Sequence, residues 1–103
     1  MQAASVRILP QFEAELIEIL DYIGLHLQNP DAALKLEEDV FAAIRERATC
    51  PLAFQPIPVT RKHPETYYPI RVRNYTIVYV VLGDVMEVRR IFYTPSDWQK
   101  RLN

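Results

Sequence analysis

Glycine is scarce in this chain of 103 residues: only Gly24 and Gly83 occur. A glycine-rich loop that cradles a phosphate therefore cannot be built, because such loops need several backbone positions without a Cβ. Cysteine is scarcer still. Cys50 stands alone, which rules out an internal disulfide and points to a reducing compartment. One cysteine and two distant histidines, His26 and His63, do not make a metal-ligand cluster. No Ser–His–Asp arrangement is supported, and no cofactor is expected. No apolar run reaches the ~18 residues of a membrane span. Residues 1–5 lack the basic start and long apolar core of a signal peptide. A cytoplasmic protein that does not enter the membrane is expected.

What the chain does have is apolar content and a lopsided charge. Half of its residues are hydrophobic, enough for a packed core and too many for disorder. Its length fits one domain spanning residues 1–103. The net charge of −1 hides an asymmetry. Residues 1–60 carry four cations against nine acids, and residues 61–103 carry eight cations against four acids. A basic C-terminal half implies a partner with phosphates or carboxylates, or else internal compensation between the halves.

The periodicity of the first half is helical. After a short strand candidate, Val6 to Leu9, Pro10 suits the first turn of a helix, where its missing N–H costs nothing. Phe12, Leu16, Ile19, Leu20, Ile23 and Leu27 then recur on one stripe. Asn29-Pro30-Asp31 ends this helix and starts the next, with Asn29 as N-cap. Ala33, Leu36, Val40, Ala43 and Ile44 form the second stripe, with Phe41 beside it. Arg45 and Arg47 sit near the C-terminal end, where the helix dipole favours cations, and Cys50-Pro51 closes the segment.

Pro51, Pro56, Pro58 and Pro64 hold the next stretch extended. Residues 67–93 are dense in β-branched and aromatic side chains, punctuated at Asn74 and at Gly83-Asp84. They predict a three-stranded meander over 67–73, 75–82 and 85–93. Residues 96–102 predict a short terminal helix anchored by Trp98. The whole reads as an α+β fold of order β-α-α-β-β-β, with an antiparallel helix hairpin on one face of a mainly antiparallel sheet.

Four arginines on two strands are unusual for a purely structural sheet. Strict strand alternation places Arg71, Arg73, Glu87, Arg89 and Tyr93 together on the face away from the helices. In that pattern Met86, Val88 and Phe92 share the helix-facing side, with Ile91 opposite. Arg90 breaks the pattern and calls for a β-bulge or a buried ion pair with a helix acid. An arginine- and tyrosine-lined sheet face suits phosphate, single-stranded RNA or an acidic peptide. A solvated face with Glu87 paired across to Arg71 or Arg73 is the plainer alternative. His26 reads as a dipole partner, His63 beside Arg61 and Lys62 as a surface histidine, and Cys50 as a buried helix end.

The order of elements and four segments resemble the RelE/ParE superfamily of type II toxin–antitoxin toxins. These are P-Q-F-E-A-E-L-I-E-I-L-D-Y-I at 10–23, N-P-D-A-A at 29–33, R-N-Y-T-I-V-Y at 73–79 and V-R-R-I-F-Y-T-P-S-D-W at 88–98. The last two are the most specific. The resemblance implies a growth-inhibiting toxin, a role in plasmid stabilisation, and hetero-oligomerisation with a cognate antitoxin. It also implies one of two activities: ParE-like poisoning of DNA gyrase without catalysis, or RelE-like cleavage of mRNA on the ribosome. For the nuclease, Arg71, Arg73, Arg89 and Tyr93 are the catalytic candidates. For either activity, Arg71, Arg73, Arg89, Arg90, Tyr93 and Trp98 are the binding candidates. Nuclease members often carry an Arg directly after the middle-strand Tyr and an Arg pair after the last strand. Here Tyr75 is followed by Thr76, and Tyr93-Thr94 by Pro95-Ser96. Arginine is a poor proton carrier at neutral pH, and one tyrosine supplies a single acid or base. The ParE-like activity is the one expected.

Overall fold

The structure is a computed structural model and describes residues 3–58, 65–96 and 98. Helix α1 (Pro10–Asp21) begins after an extended Leu9, with Pro10 in the first turn. It buries Phe12 and Leu16 against the sheet. Helix α2 (Pro30–Arg47) starts at Asn29, whose side-chain oxygen accepts the Ala32 N–H at 3.2 Å. That bond satisfies one of the donors every helix start leaves open. Leu36, Val40 and Ile44 are its buried stripe.

Between the two helices the chain departs from expectation. Residues Tyr22–His26 wind as a π-turn, closed by the Leu27 N–H on the Tyr22 carbonyl at 3.0 Å. A π-turn holds more residues per revolution than an α-turn, so the apolar stripe loses phase. Ile23 still packs against the core, while Leu25 and Leu27 are 71 % and 56 % exposed. The expected inward position of Leu27 is thus corrected. Gln28, at φ 52°, turns the chain into α2.

The sheet comprises β1 (Ser5–Ile8), β2 (Tyr68–Val72), β3 (Tyr75–Leu82) and β4 (Val85–Tyr93), in spatial order β1-β4-β3-β2. β1 runs parallel to β4, and the other pairings are antiparallel. Gly83, at φ 63°, supplies the left-handed position of the β3–β4 turn. In the β2–β3 turn that position falls to Arg73, at φ 54°, rather than to Asn74. The expected α+β layout is present: two helices on one face of a mostly antiparallel sheet.

One irregularity governs the site. Val78 pairs with Arg90, but the next residue, Tyr79, pairs with Val88. Arg89 therefore has no partner on β3 and is the extra residue of a β-bulge. The bulge reverses the alternation of the rest of β4. Met86, Val88 and Ile91 face the helices with Ile70, Val72, Ile77 and Tyr79. Phe92 joins Val78, Ile57 and Trp98 in a second, smaller core on the far face. This corrects the expected sides of Ile91 and Phe92. It also means that the face away from the helices is partly covered, since Trp98 stacks on Phe92 with ring centroids 5.8 Å apart. Most of the expected terminal helix, and the connection carrying Arg61, Lys62, His63 and Pro64, lie outside the described residues.

Candidate functional site

Each guanidinium on the sheet has a different fate. Arg89, displaced by the bulge, donates from both terminal nitrogens to the two Glu65 oxygens at 2.7 and 2.5 Å. Its Nε donates to Glu87 at 2.9 Å. Arg7 of β1 donates to the other Glu87 oxygen at 3.0 Å. The result is a chain of alternating charges, Arg7–Glu87–Arg89–Glu65. Burial pushes the Glu87 carboxyl up, but hydrogen bonds from Arg7 and Arg89 outweigh it and hold the group below the usual carboxylate range. The hydrogen bonds that Arg89 donates to Glu65 raise it above its ordinary value.

Arg90 sits where β4 runs past the end of β1. Its Nε and terminal nitrogen grip Glu15 of α1 at 2.9 and 2.6 Å. The second Glu15 oxygen accepts the Ile91 N–H at 3.1 Å. Glu15 thus closes a stretch of strand edge that β1 does not reach, and the Arg90 guanidinium lies 4.5 Å over the Phe92 ring. Both expectations for Arg90, a bulge nearby and an ion pair with a helix acid, are realised together.

Arg73, from its left-handed turn position, bonds Asp39 of α2 at 2.6 Å, toward the helices. Tyr93 pairs with Tyr75 in register and packs edge-on to its ring at 5.9 Å. Tyr75 belongs to the helix-side core, so Tyr93 is on that side too, half-exposed. Burial, then the neighbouring Tyr93 and Tyr22, push the Tyr75 hydroxyl up rather than toward neutrality. Arg71 stays on the far side, opposite Thr76. Arg89 is two strands over and three residues along, so their Cα atoms are roughly 14 Å apart. The expected shared face of Arg71, Arg73, Arg89 and Tyr93 is therefore not formed. The bulge and the β2–β3 turn divide these residues between the two sides. Trp98 is a buried packing residue.

Arg71 alone among these arginines is exposed and makes no ion pair or hydrogen bond among the described residues. It is the wall between two hollows. One, of about 370 Å³, has Arg47, Cys50, Phe54 and Ile70 in its lining. The other, of about 290 Å³, has Pro56, Ile57, Thr76 and Trp98. The sequence marks Arg47 only as a partner of the helix dipole. Its guanidinium in fact lies 3.5 Å over the Phe54 ring and donates to the Pro69 carbonyl at 2.7 Å and the Tyr79 hydroxyl at 3.2 Å. The signal was its position three residues beyond Ile44, which puts it at the end of α2's buried stripe. Tyr79 in turn donates to the Pro51 carbonyl at 2.7 Å. Burial pushes the Tyr79 hydroxyl up, against the lowering effect of Arg47.

Among the described residues no group of three or more His, Cys, Asp or Glu side chains is placed to hold a metal. His26 is exposed and stacks on Tyr22 at 5.8 Å. Cys50 is half-buried rather than enclosed. No helix among the described residues is long and apolar enough to cross a membrane.

Residues 6–98 match the model of the ParE toxin of the type II toxin–antitoxin system parDE. This chain belongs to the ParE toxin family. A solved structure described as the chromosomal ParDE TA system from P. aeruginosa shares the fold, with a TM-score of 0.66. It is 18 % identical, over 88 % of this chain and 96 % of that one. None of the curated proteins matches the sequence. As a ParE-family toxin of a ParDE system, the chain has an antitoxin as its implied partner.

Proposed function

We propose that this ParE-family toxin arrests growth by poisoning DNA gyrase through a protein–protein contact, and that a cognate antitoxin neutralises it. The observation that carries the reading is the neutralisation of three of the four arginines, Arg73, Arg89 and Arg90, and the isolation of the fourth, Arg71. RNA cleavage needs a base, an acid and free positive charge in one pocket. Arg89 is held by Glu65 and Glu87, Arg73 by Asp39, and Arg90 by Glu15. Tyr93 lies on the opposite side of the sheet from Arg71 and Arg89. A mRNA endonuclease would have to break charge pairs that are partly buried before it could stabilise a phosphorane. The family match to ParE supports the same reading.

The test uses purified components. Gyrase incubated with the toxin and supercoiled plasmid is expected to accumulate cleaved DNA or lose supercoiling, and adding the antitoxin should reverse it. Unchanged gyrase activity, together with new 5′ ends in mRNA on translating ribosomes, would reject the proposal.

A further inference from the structure

We infer that the Arg71 ridge, with the hollows on either side of it, receives a carboxylate from an extended acidic segment of a partner protein, an apolar neighbour of that carboxylate seating in the hollow beside Phe54. The inference gives the chemistry of the partner and rests on the reading that this chain acts by binding protein.

The charge comes first. Arg71 is exposed and makes no ion pair among the described residues. Arg47, in the lining of the same 370 Å³ hollow, is met by a carbonyl and a phenol, both neutral oxygens. Glu46 is the one acid among the residues lining it. Two guanidiniums against one exposed carboxylate leave an excess positive charge beside a partly apolar cavity. A carboxylate is the planar anion that a free arginine fork binds in two-pronged fashion.

The shape agrees. Arg71 follows Pro69 by two on β2, the edge strand of the sheet. The outward carbonyls of Tyr67 and Pro69 are already taken, by the Ile57 N–H and by Arg47. The next outward position along that edge is Arg71 itself. Side chains two apart on an extended segment stand roughly 6.6 Å from each other on one face. One residue can thus meet Arg71 while another drops toward Phe54 and Ile70.

The pattern of compensation chooses a protein over a nucleic acid. A phosphate backbone presents one charge per nucleotide and is bound by a run of free cations. On this sheet Arg73, Arg89 and Arg90 are each paired to a carboxylate. Among the described residues lining these hollows, the uncompensated charge is confined to Arg71 and its neighbour Arg47. That suits one acidic side chain with apolar neighbours.

The test is an NMR titration of the full-length isotope-labelled protein with acetyl-Leu-Ala-Glu-amide, whose leucine and glutamate share one face of an extended segment. Parallel arms use acetyl-Leu-Ala-Gln-amide, inorganic phosphate and the dinucleotide UpU. The Arg71 and Arg47 Nε–H signals should move with the glutamate peptide, since both side chains line the Phe54 hollow. The glutamine peptide should bind about fivefold more weakly, the loss of roughly one charge-assisted contact. Arg71→Gln should remove the difference between the two peptides, and Arg71→Lys should keep part of it. Arg71 is exposed, and unchanged melting curves of both variants would certify the fold. Equal shifts from both peptides, no shift at 20-fold excess over a 1 mM sample (about 20 mM), or stronger binding by phosphate or UpU would each overturn the inference. These readouts are independent of toxicity: gyrase poisoning without peptide binding would strike only this inference.

Discussion

The Glu15–Arg90 contact offers the sharpest test of the packing, because one carboxylate does two jobs. It neutralises Arg90, with both side chains only about one-sixth exposed (17 % and 16 %), and it accepts the Ile91 N–H. Glu15→Ala leaves a largely desolvated guanidinium without a counter-charge. Breaking a fully buried pair costs about 3–5 kcal/mol; the partial exposure here brings the expectation to about 2 kcal/mol. Orphaning the backbone donor adds about 1 kcal/mol, giving ~3 kcal/mol in all. For a domain of this size each kcal/mol lowers Tm by roughly 4–8 °C, so a fall of roughly 12–24 °C is expected in calorimetry. Glu15→Gln keeps an acceptor for Ile91 and loses only the charge, so it should cost about half as much. In the double variant Glu15→Gln with Arg90→Met, part of the loss should return, since no buried charge is left alone. If Glu15→Ala melted within 2 °C of the parent, corresponding to under about 0.5 kcal/mol, the claim that this pair closes the β4 edge would be wrong.

Further expectations test other parts of the structure. Arg73→Ala should cost at most about 1 kcal/mol in urea unfolding, because both members of its pair with Asp39 are some 40 % exposed (43 % and 39 %) and screened. Phe92→Ala should cost about 3 kcal/mol and shift Trp98 fluorescence to the red, since the two rings stack in the far-face core. Glu87 titrates below its ordinary value in the folded state, so its contribution is complete above the unfolded glutamate pKa of about 4.3 and is lost as pH falls through the lowered folded value. Glu87→Gln should therefore flatten the fall in stability between pH 5 and pH 3, measured by urea titration; a parallel acid limb in both proteins would contradict that assignment.

The features legible in the sequence are those fixed locally. Asn29-Pro30 announces the start of α2 because the cap and the first turn lie within four residues. Gly83-Asp84 announces the hairpin because only a few residue types tolerate its backbone. The stripes of Phe12 and Leu16, and of Leu36, Val40 and Ile44, fix which helix faces meet the sheet. What stayed hidden depends on the third dimension. The bulge at Arg89 carries no glycine to mark it, and V-R-R-I-F reads equally well as an uninterrupted strand. One extra residue was enough to exchange the sides of Ile91 and Phe92 and to break up the expected arginine–tyrosine face. Apart from Glu87, two residues from Arg89, the acids that neutralise the arginines lie 24, 34 and 75 residues away in sequence, at Glu65, Asp39 and Glu15. Spacing rules do not reach that far. The π-turn was equally invisible, because Y-I-G-L-H has no residue that forbids an ordinary helix. The family, by contrast, was legible from the segments at 73–79 and 88–98. Strand positions there combine packing and charge in a way few other folds demand.

The central claim is that this ParE-family toxin acts by holding a protein target rather than by cutting RNA. It is tested most directly by pulsed expression of the toxin alone, with thymidine and methionine incorporation followed in one culture. The account predicts that DNA synthesis stops first, while translation continues for a time. Early arrest of translation with DNA synthesis still running would contradict it, and would show that the paired arginines are released to act on RNA.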